Sequence, residues 1–315
     1  MSEAAPLLAT AAAPVPAGAA ATWFRGSRGL RLRAALFPAT GTPRGSVILS
    51  GGRTEPIEKY FEVARELTAR GFVVLAHDWR GQGLSARLAA DPMKGHARGY
   101  RDFLVDYRCL LDAFEDRLPK PWLAVSHSMG GCLTALALAK GERRIEGAVL
   151  TAPMFGLHLG GLPPWLAGLL AGGLTRVGLG LGGPGGEHAA PPAPFEDNIL
   201  THDPARYARN VEQVLQHPEL SLGPPTWSWI DFAMSAIADL QRGPDITHVA
   251  VPVTVLAAGD DKIADNAGLR LVTSRMPKGR YVEIPGASHE ILQETDVLRA
   301  PFWTAFDALA GGAAA

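Results

Sequence analysis

Six short apolar runs place the strongest limit on what this chain can fold into. They are Ser46 to Ser50 (SVILS), Phe72 to Ala76 (FVVLA), Trp122 to Ser126 (WLAVS), Ala148 to Thr151 (AVLT), Val253 to Ala257 (VTVLA) and Arg280 to Ile284 (RYVEI). Near-continuous runs of this kind suit strands covered on both faces, which means a parallel sheet. Between them, Ile57 to Ala69 carries Tyr60, Phe61, Val63, Ala64 and Leu67 at helical spacing, and Gly71 stands where a helix stop belongs. Phe103 to Leu118 repeats the helical pattern before Pro119. The chain reads as β-α-β-α-β-α-β up to about Pro153, an α/β fold with a mostly parallel central sheet flanked by helices.

The alternation then breaks for roughly ninety residues and resumes at Val253. The interruption opens with LHLGGLPPWLAGLLAGGLTRVGLGLGGPGG, in which Arg176 is the sole charged residue, and later carries YARNVEQVLQ and WSWIDFAMSAIADL with helical periodicity. It reads as a mainly helical cap inserted between strands. The expected organisation is a disordered Ala/Pro-rich leader over 1–21, core over 22–152, cap over 153–245 and core again over 246–311. The leader carries Glu3 but no Lys or Arg and no sustained apolar stretch, which argues against a secretory signal and favours a cytoplasmic protein. No segment reaches the roughly 18 consecutive apolar residues of a membrane span.

One short stretch, Ala124-Val125-Ser126-His127-Ser128-Met129-Gly130-Gly131, joins a strand directly to a helix start. In the pattern small-x-nucleophile-x-small, the nucleophile occupies a strained turn, and the residues two before and two after must be small because strand and helix pass closely. Centring on Ser128 places Ser126 and Gly130 at those positions. Centring on Ser126 would place the turn before the Gly pair that suits it, so Ser128 is the expected nucleophile. His127 projects away from the turn's interior and is not the expected base.

An elbow is useful when an acid and a histidine arrive later at the same sheet edge. After VTVLAA comes Gly259-Asp260-Asp261-Lys262, and after YVEIPG comes Ala287-Ser288-His289-Glu290. The order Ser, Asp, His follows predicted strands, with a helix-like stretch from Ala264 to Met276 between acid and histidine. His289 would take the Ser128 proton, and the aspartate would fix its tautomer.

Together, SHSMGG, DWRGQGLS, SGGRTEPIEKY, AGDDKI and GASHEIL resemble the α/β-hydrolase superfamily, in its lysophospholipase L2 and monoacylglycerol lipase branch, grouped with the serine aminopeptidase S33 type. The resemblance spans about residues 22 to 310. It implies Ser128 as nucleophile, His289 as base and Asp261 as acid, with Asp260 the competitor one residue away. It also implies a two-amide oxyanion hole from Met129 and Arg53. The sequence departs from the family pattern twice: Ser126 stands where Gly is usual before the elbow, and Gly51 stands where His often precedes the oxyanion Gly. The implied activity is a serine carboxylic-ester hydrolase acting on a lysophospholipid or monoacylglycerol. Peptide chemistry of the aminopeptidase type, or a catalytically silent binding module, are the alternatives. The peptide reading would need an acidic pocket, for which the cap offers Glu187, Glu196, Asp197, Asp203 and Glu212.

A net charge of −1 gives no electrostatic footprint for nucleic acid. Cys109 and Cys132 stand far from any second ligand at metal spacing and read as buried or semi-buried thiols, so no zinc site is expected; no metal or organic cofactor is implied, because the triad would itself supply nucleophile, base and oxyanion stabilisation. Asp78-Trp79-Arg80-Gly81 reads as a salt-bridged loop that shapes the pocket. The expected fate of Arg53 is a salt bridge to Glu55 or Glu58. Leu157 to Gly183 reads as a lid packed over an acyl pocket, with contact to a membrane surface as the second reading.

Overall fold

A computed structural model of the chain describes residues 3–185 and 192–312. All six apolar runs are strands: β4 (Gly45–Ser50), β5 (Phe72–His77), β6 (Trp122–His127), β7 (Ile145–Thr151), β8 (Val253–Ala258) and β9 (Gly279–Ile284). They lie side by side in the order β5-β4-β6-β7-β8-β9, every pair parallel. Successive side chains alternate between the faces, so Val47 and Leu49 join one buried cluster and Ile48 the other. Helices α1 (Phe61–Ala69) and α8 (Asp296–Gly312) cover the first face, and α2 (Arg101–Phe114) and α3 (Ser128–Ala139) the second. Helix α7 (Asn266–Ser274) fills the predicted stretch between β8 and β9.

Three further strands, β1 (Ala4–Ala5), β2 (Ala20–Arg25) and β3 (Arg31–Phe37), extend the sheet in antiparallel fashion from β5. Their sequences do not read as long apolar runs: β1 is two residues long, β2 ends on Arg25, and Arg31 and Arg33 stand within β3. Arg33 is nevertheless fully buried, since its guanidinium meets both Glu58 oxygens and Asp78 Oδ2 at 2.7 Å each. A buried charge persists only when paired and hydrogen-bonded in this way.

The expectation of a disordered leader is corrected by the same region. Ala4 and Ala5 pair with Thr22 and Ala21, Pro6 O accepts from Arg33, and the Leu8 amide donates to Glu58. Gln213 and His217 reach back to the carbonyls of Leu8 and Ala9. Backbone groups hold this segment, and they are invisible to a reading based on apolar side chains.

Between β7 and β8 run α4 (Pro164–Arg176), α5 (Pro204–Gln216) and α6 (Trp227–Arg242). Glu187 and His188 of this insertion lie outside the described residues. Asp203 and Thr226 cap α5 and α6 by accepting from Arg206 N and Trp229 N. Helix α4 packs on α6 through small residues: a side chain at Gly168 would touch Met234, and one at Gly172 would press on Asp231. Trp165, Leu169 and Leu170 face solvent instead. The lid expectation for Leu157 to Gly183 is corrected to that extent: these side chains of α4 turn outward, while Leu157 and Leu159 pack against the core. No helix among the described residues is long and apolar enough to cross a membrane.

Candidate active site

Strand β6 runs directly into α3 at Ser128, whose φ of 50° is left-handed and strained for a residue with a side chain. The spacing rule holds physically at Gly130, where any Cβ would collide with the carbonyl oxygens of Ser50 and Gly51. At the other flank Ser126 is fully buried, and its hydroxyl lies 2.9 Å from that of Thr134 on α3. Serine thus replaces the usual glycine with a clamp between strand and helix. His127 points away from Ser128, with Nδ1 3.0 Å from Thr151 O, and burial pushes its pKa down to about 4.

Ser128 Oγ lies 3.1 Å from His289 Nε2, and His289 Nδ1 lies 2.8 Å from Asp261 Oδ2. The three side chains come from the ends of β6, β8 and β9, carried to one edge of the sheet by the parallel order of these strands. Asp261 Oδ1 accepts from the amides of Ile263 and Ala264, both at 2.8 Å. Burial works against its charge, but the His289 contact and these two amides outweigh it and hold the carboxyl below its usual pKa. Asp260 is exposed and its amide donates to Ala287 O, so of the two candidates Asp261 alone reaches His289. An imidazole held this way can accept a hydroxyl proton at Nε2 while the carboxylate stabilises the resulting cation.

Beside Ser128 lies the loop Gly51-Gly52-Arg53. A side chain at Gly52 would run against Ser128 Cβ and the His127 ring, so glycine is required there. At Gly51 a Cβ would come within 2.9 Å of the Tyr60 ring, which fills the space the family's histidine side chain would need. Trp79 Nε1 donates to Gly51 O at 2.9 Å and Gln82 Nε2 to Gly52 O at 2.7 Å. Glu55 accepts from the Gly52 amide and from the Tyr60 hydroxyl, both at 2.5 Å. These bonds commit Gly52, and among the described residues the amides of Met129 and Arg53 have no acceptor.

Several residues of this surround escape sequence reasoning. Glu55 and Glu290 share Lys59, whose Nζ lies 2.7 and 2.6 Å from their carboxylates, and Glu55 Oε1 lies 3.9 Å from His127 Nε2. The i, i+4 spacing of Glu55 and Lys59 was a visible signal; the role of Glu290, next to His289, was not. Asp78 and Arg80 are salt-bridged as expected, but to partners elsewhere in the chain, Asp78 to Arg33 and Arg80 to Asp106. The expected Arg53 salt bridge is absent among the described residues: Glu58 is committed to Arg33 and Glu55 to Lys59.

Comparison with known proteins gives the chain's fold and family. The family described as "Serine aminopeptidase, S33" matches residues 41–296. The chain is 34% identical over 270 residues to lysophospholipase L2 of Escherichia coli (strain K12), covering 80% of this chain and 76% of that protein. It is 27% identical over 278 residues to the monoacylglycerol lipase of Mycolicibacterium smegmatis, covering 87% and 91%. A solved soluble variant of monoglyceride lipase from Saccharomyces cerevisiae superimposes with a TM-score of 0.74 at 20% identity, over 97% of this chain and 98% of that one. That likeness carries the fold, and the family model and the 34% identical relative carry the family. The chain belongs to the serine aminopeptidase S33 family of α/β-hydrolases.

Proposed function

We propose that the chain is a serine carboxylic-ester hydrolase that cleaves the acyl ester of a lysophospholipid or monoacylglycerol. The observation that carries this reading is the unbroken line Asp261–His289–Ser128 next to two uncommitted amides. In the proposed reaction Ser128 Oγ attacks the acyl carbonyl as its proton passes to His289 Nε2. The oxyanion is met by the Arg53 and Met129 amides, a contribution of about 3 kcal/mol per donor. The leaving alcohol takes the proton from His289, and water, with His289 again as base, releases the acyl group from Ser128.

A groove of about 440 Å³ supports a lipid substrate. It takes in Thr54 and Glu290, which follow Arg53 and His289 in the chain, and is walled by Pro56, Leu200, Val211, Val214 and Leu222. A separate cleft of about 490 Å³, walled by Arg98, Thr175, Ser228 and Asp231, adjoins neither loop. The outward face of α4 supports contact with a lipid surface as well. Of twelve exposed large apolar side chains among the described residues, seven fall between Leu162 and Leu181.

The aminopeptidase reading finds less support. Of the described carboxylates it would use, Asp203 caps α5 and pairs with Arg206 and Glu212 bonds Gln216; Asp197 does line the groove, but its acidic neighbour there, Glu290, is tied to Lys59. A direct comparison of monoacylglycerol and lysophospholipid with amino-acid anilides, in wild type and Ser128→Ala, tests the proposal. Ester cleavage lost in the variant is the expected result, and anilide cleavage exceeding ester cleavage would overturn it.

A further inference from the structure

We infer that the Arg53 guanidinium is an anchor for a phosphate group on the substrate, which makes a lysophospholipid the preferred substrate over a monoacylglycerol. The inference rests on the lipid-ester reading above. Among the described residues Arg53 has no carboxylate within 4 Å, and its Nε is sealed from solvent with no acceptor. Its one hydrogen bond runs from Nη2 to Gly223 O. Arg87 offers the contrast. It too lacks a carboxylate and reaches the inserted segment, but its donors are satisfied by the carbonyls of Gly81, Gly83, Pro92, Glu219 and Ser221. Arg53 has been left with unused donors.

The surroundings are shaped around that side chain. The guanidinium lies over the Trp229 ring, 5.2 Å from its centroid, and a side chain at Gly95 would run into Nη2. Gly95 and Trp229, both set against the guanidinium, share one narrow cleft with Leu222 and with Met129, whose amide would hold the oxyanion. Burial without a counter-charge pushes the Arg53 pKa down to about 10, which still leaves it cationic at neutral pH. A desolvated cation lacking a partner is costly to keep unless an anion completes it.

Chain geometry selects the anion. Three methylenes separate the guanidinium of Arg53 from its own backbone, whose amide faces the reacting carbonyl in the proposed mechanism. In a lysophospholipid the three glycerol carbons separate the acyl ester from the phosphate. An ester carbonyl bound at the Arg53 amide therefore brings phosphate within reach of the same residue's fork, which matches phosphate oxygens in pairs. A monoacylglycerol presents a neutral hydroxyl there and leaves the cation uncompensated.

The test is the ratio of kcat/KM for lysophosphatidylglycerol to that for monoacylglycerol, matched in acyl chain and presented in the same neutral detergent micelles. It is measured in wild type, Arg53→Met, Arg53→Gln and Arg53→Lys. Both substrates meet the same active fraction, so incomplete folding or a disturbed Arg53 amide cancels from the ratio. The ratio is expected to favour the lysophospholipid in wild type and to fall roughly 10- to 100-fold in Arg53→Met and Arg53→Gln, the size of a lost charged hydrogen bond. Arg53→Lys is expected to recover part of it. An unchanged ratio in Arg53→Met and Arg53→Gln overturns the anchor and leaves ester hydrolysis standing. If in addition inorganic phosphate protects wild type but not Arg53→Met against thermal unfolding, the site belongs to free phosphate and the inference fails. Cleavage of p-nitrophenyl butyrate with neither lipid hydrolysed overturns the lipid reading and the anchor with it.

Discussion

Ser126→Ala isolates the clamp that replaces the usual glycine before the elbow. The Ser126 and Thr134 hydroxyls are 2.9 Å apart and both residues are fully buried. Removing one partner forfeits a hydrogen bond of about 1 kcal/mol net and leaves a buried hydroxyl that costs a further 1–3 kcal/mol or so if nothing else takes it. Thr134 sits within α3 and can turn to the carbonyl one helical turn back, at Gly130, which limits the damage. The expected cost of Ser126→Ala is therefore about 1–2 kcal/mol, with a similar cost for Thr134→Val. The double variant should cost hardly more than either single one, a coupling of about 1 kcal/mol. Ser126→Gly should cost about 0.5–1 kcal/mol more than Ser126→Ala because a strand glycine loses more chain entropy. Urea unfolding of the four proteins in the cycle supplies these values. Strict additivity would refute the clamp, and so would a large fall in activity at unchanged stability, which would mean that Ser126 meets the reacting atoms.

Other expectations follow from the site and its supports. Asp261→Asn should lower kcat by roughly ten-thousandfold through the wrong His289 tautomer, while Asp260→Asn, at an exposed carboxyl, should leave it unchanged; equal losses would contradict the assignment. Glu62 on α1 bonds Arg206 and Arg209 of α5, and although burial opposes it these contacts bring its pKa down from 4.5 to about 2. A folded-state pKa below the unfolded one stabilises fully above about 4.5, and that stabilisation fades as pH falls from there toward 2. Allowing for partial exposure, Glu62→Gln should lose about 1–3 kcal/mol at pH 7 and about two-fifths of that at pH 3. Unfolding measured at both pH values checks this, and an equal loss at both would exclude the charge as its source.

What the sequence made legible follows from the range of each interaction. The six parallel strands announce themselves because burial on both faces needs unbroken apolar runs, and the elbow does so because Gly130 has no room for a side chain. Ser128 and His289 stand out because each follows such a run, whereas the same signal leaves Asp260 and Asp261 undecided and the preference for Asp261 comes from the resemblance. Strands β2 and β3 stayed hidden because Arg33 becomes a core residue only through Glu58 and Asp78, contacts that pair chain segments far apart. The leader's order rests on backbone bonds to Arg33, Glu58 and Gln213, and no local pattern encodes these. Arg53 went astray for the opposite reason. Glu55 and Glu58 are near in sequence, but Lys59 and Arg33 already hold them.

The central claim is that Ser128 is the nucleophile and His289 its base. Reaction with a fluorophosphonate, followed by fragmentation mass spectrometry of the peptide that spans Ser126 and Ser128, tests it most directly. The account predicts one adduct per chain, on Ser128 Oγ, absent in Ser128→Ala and strongly slowed in His289→Ala. An adduct on Ser126, or labelling that persists in Ser128→Ala, would contradict it.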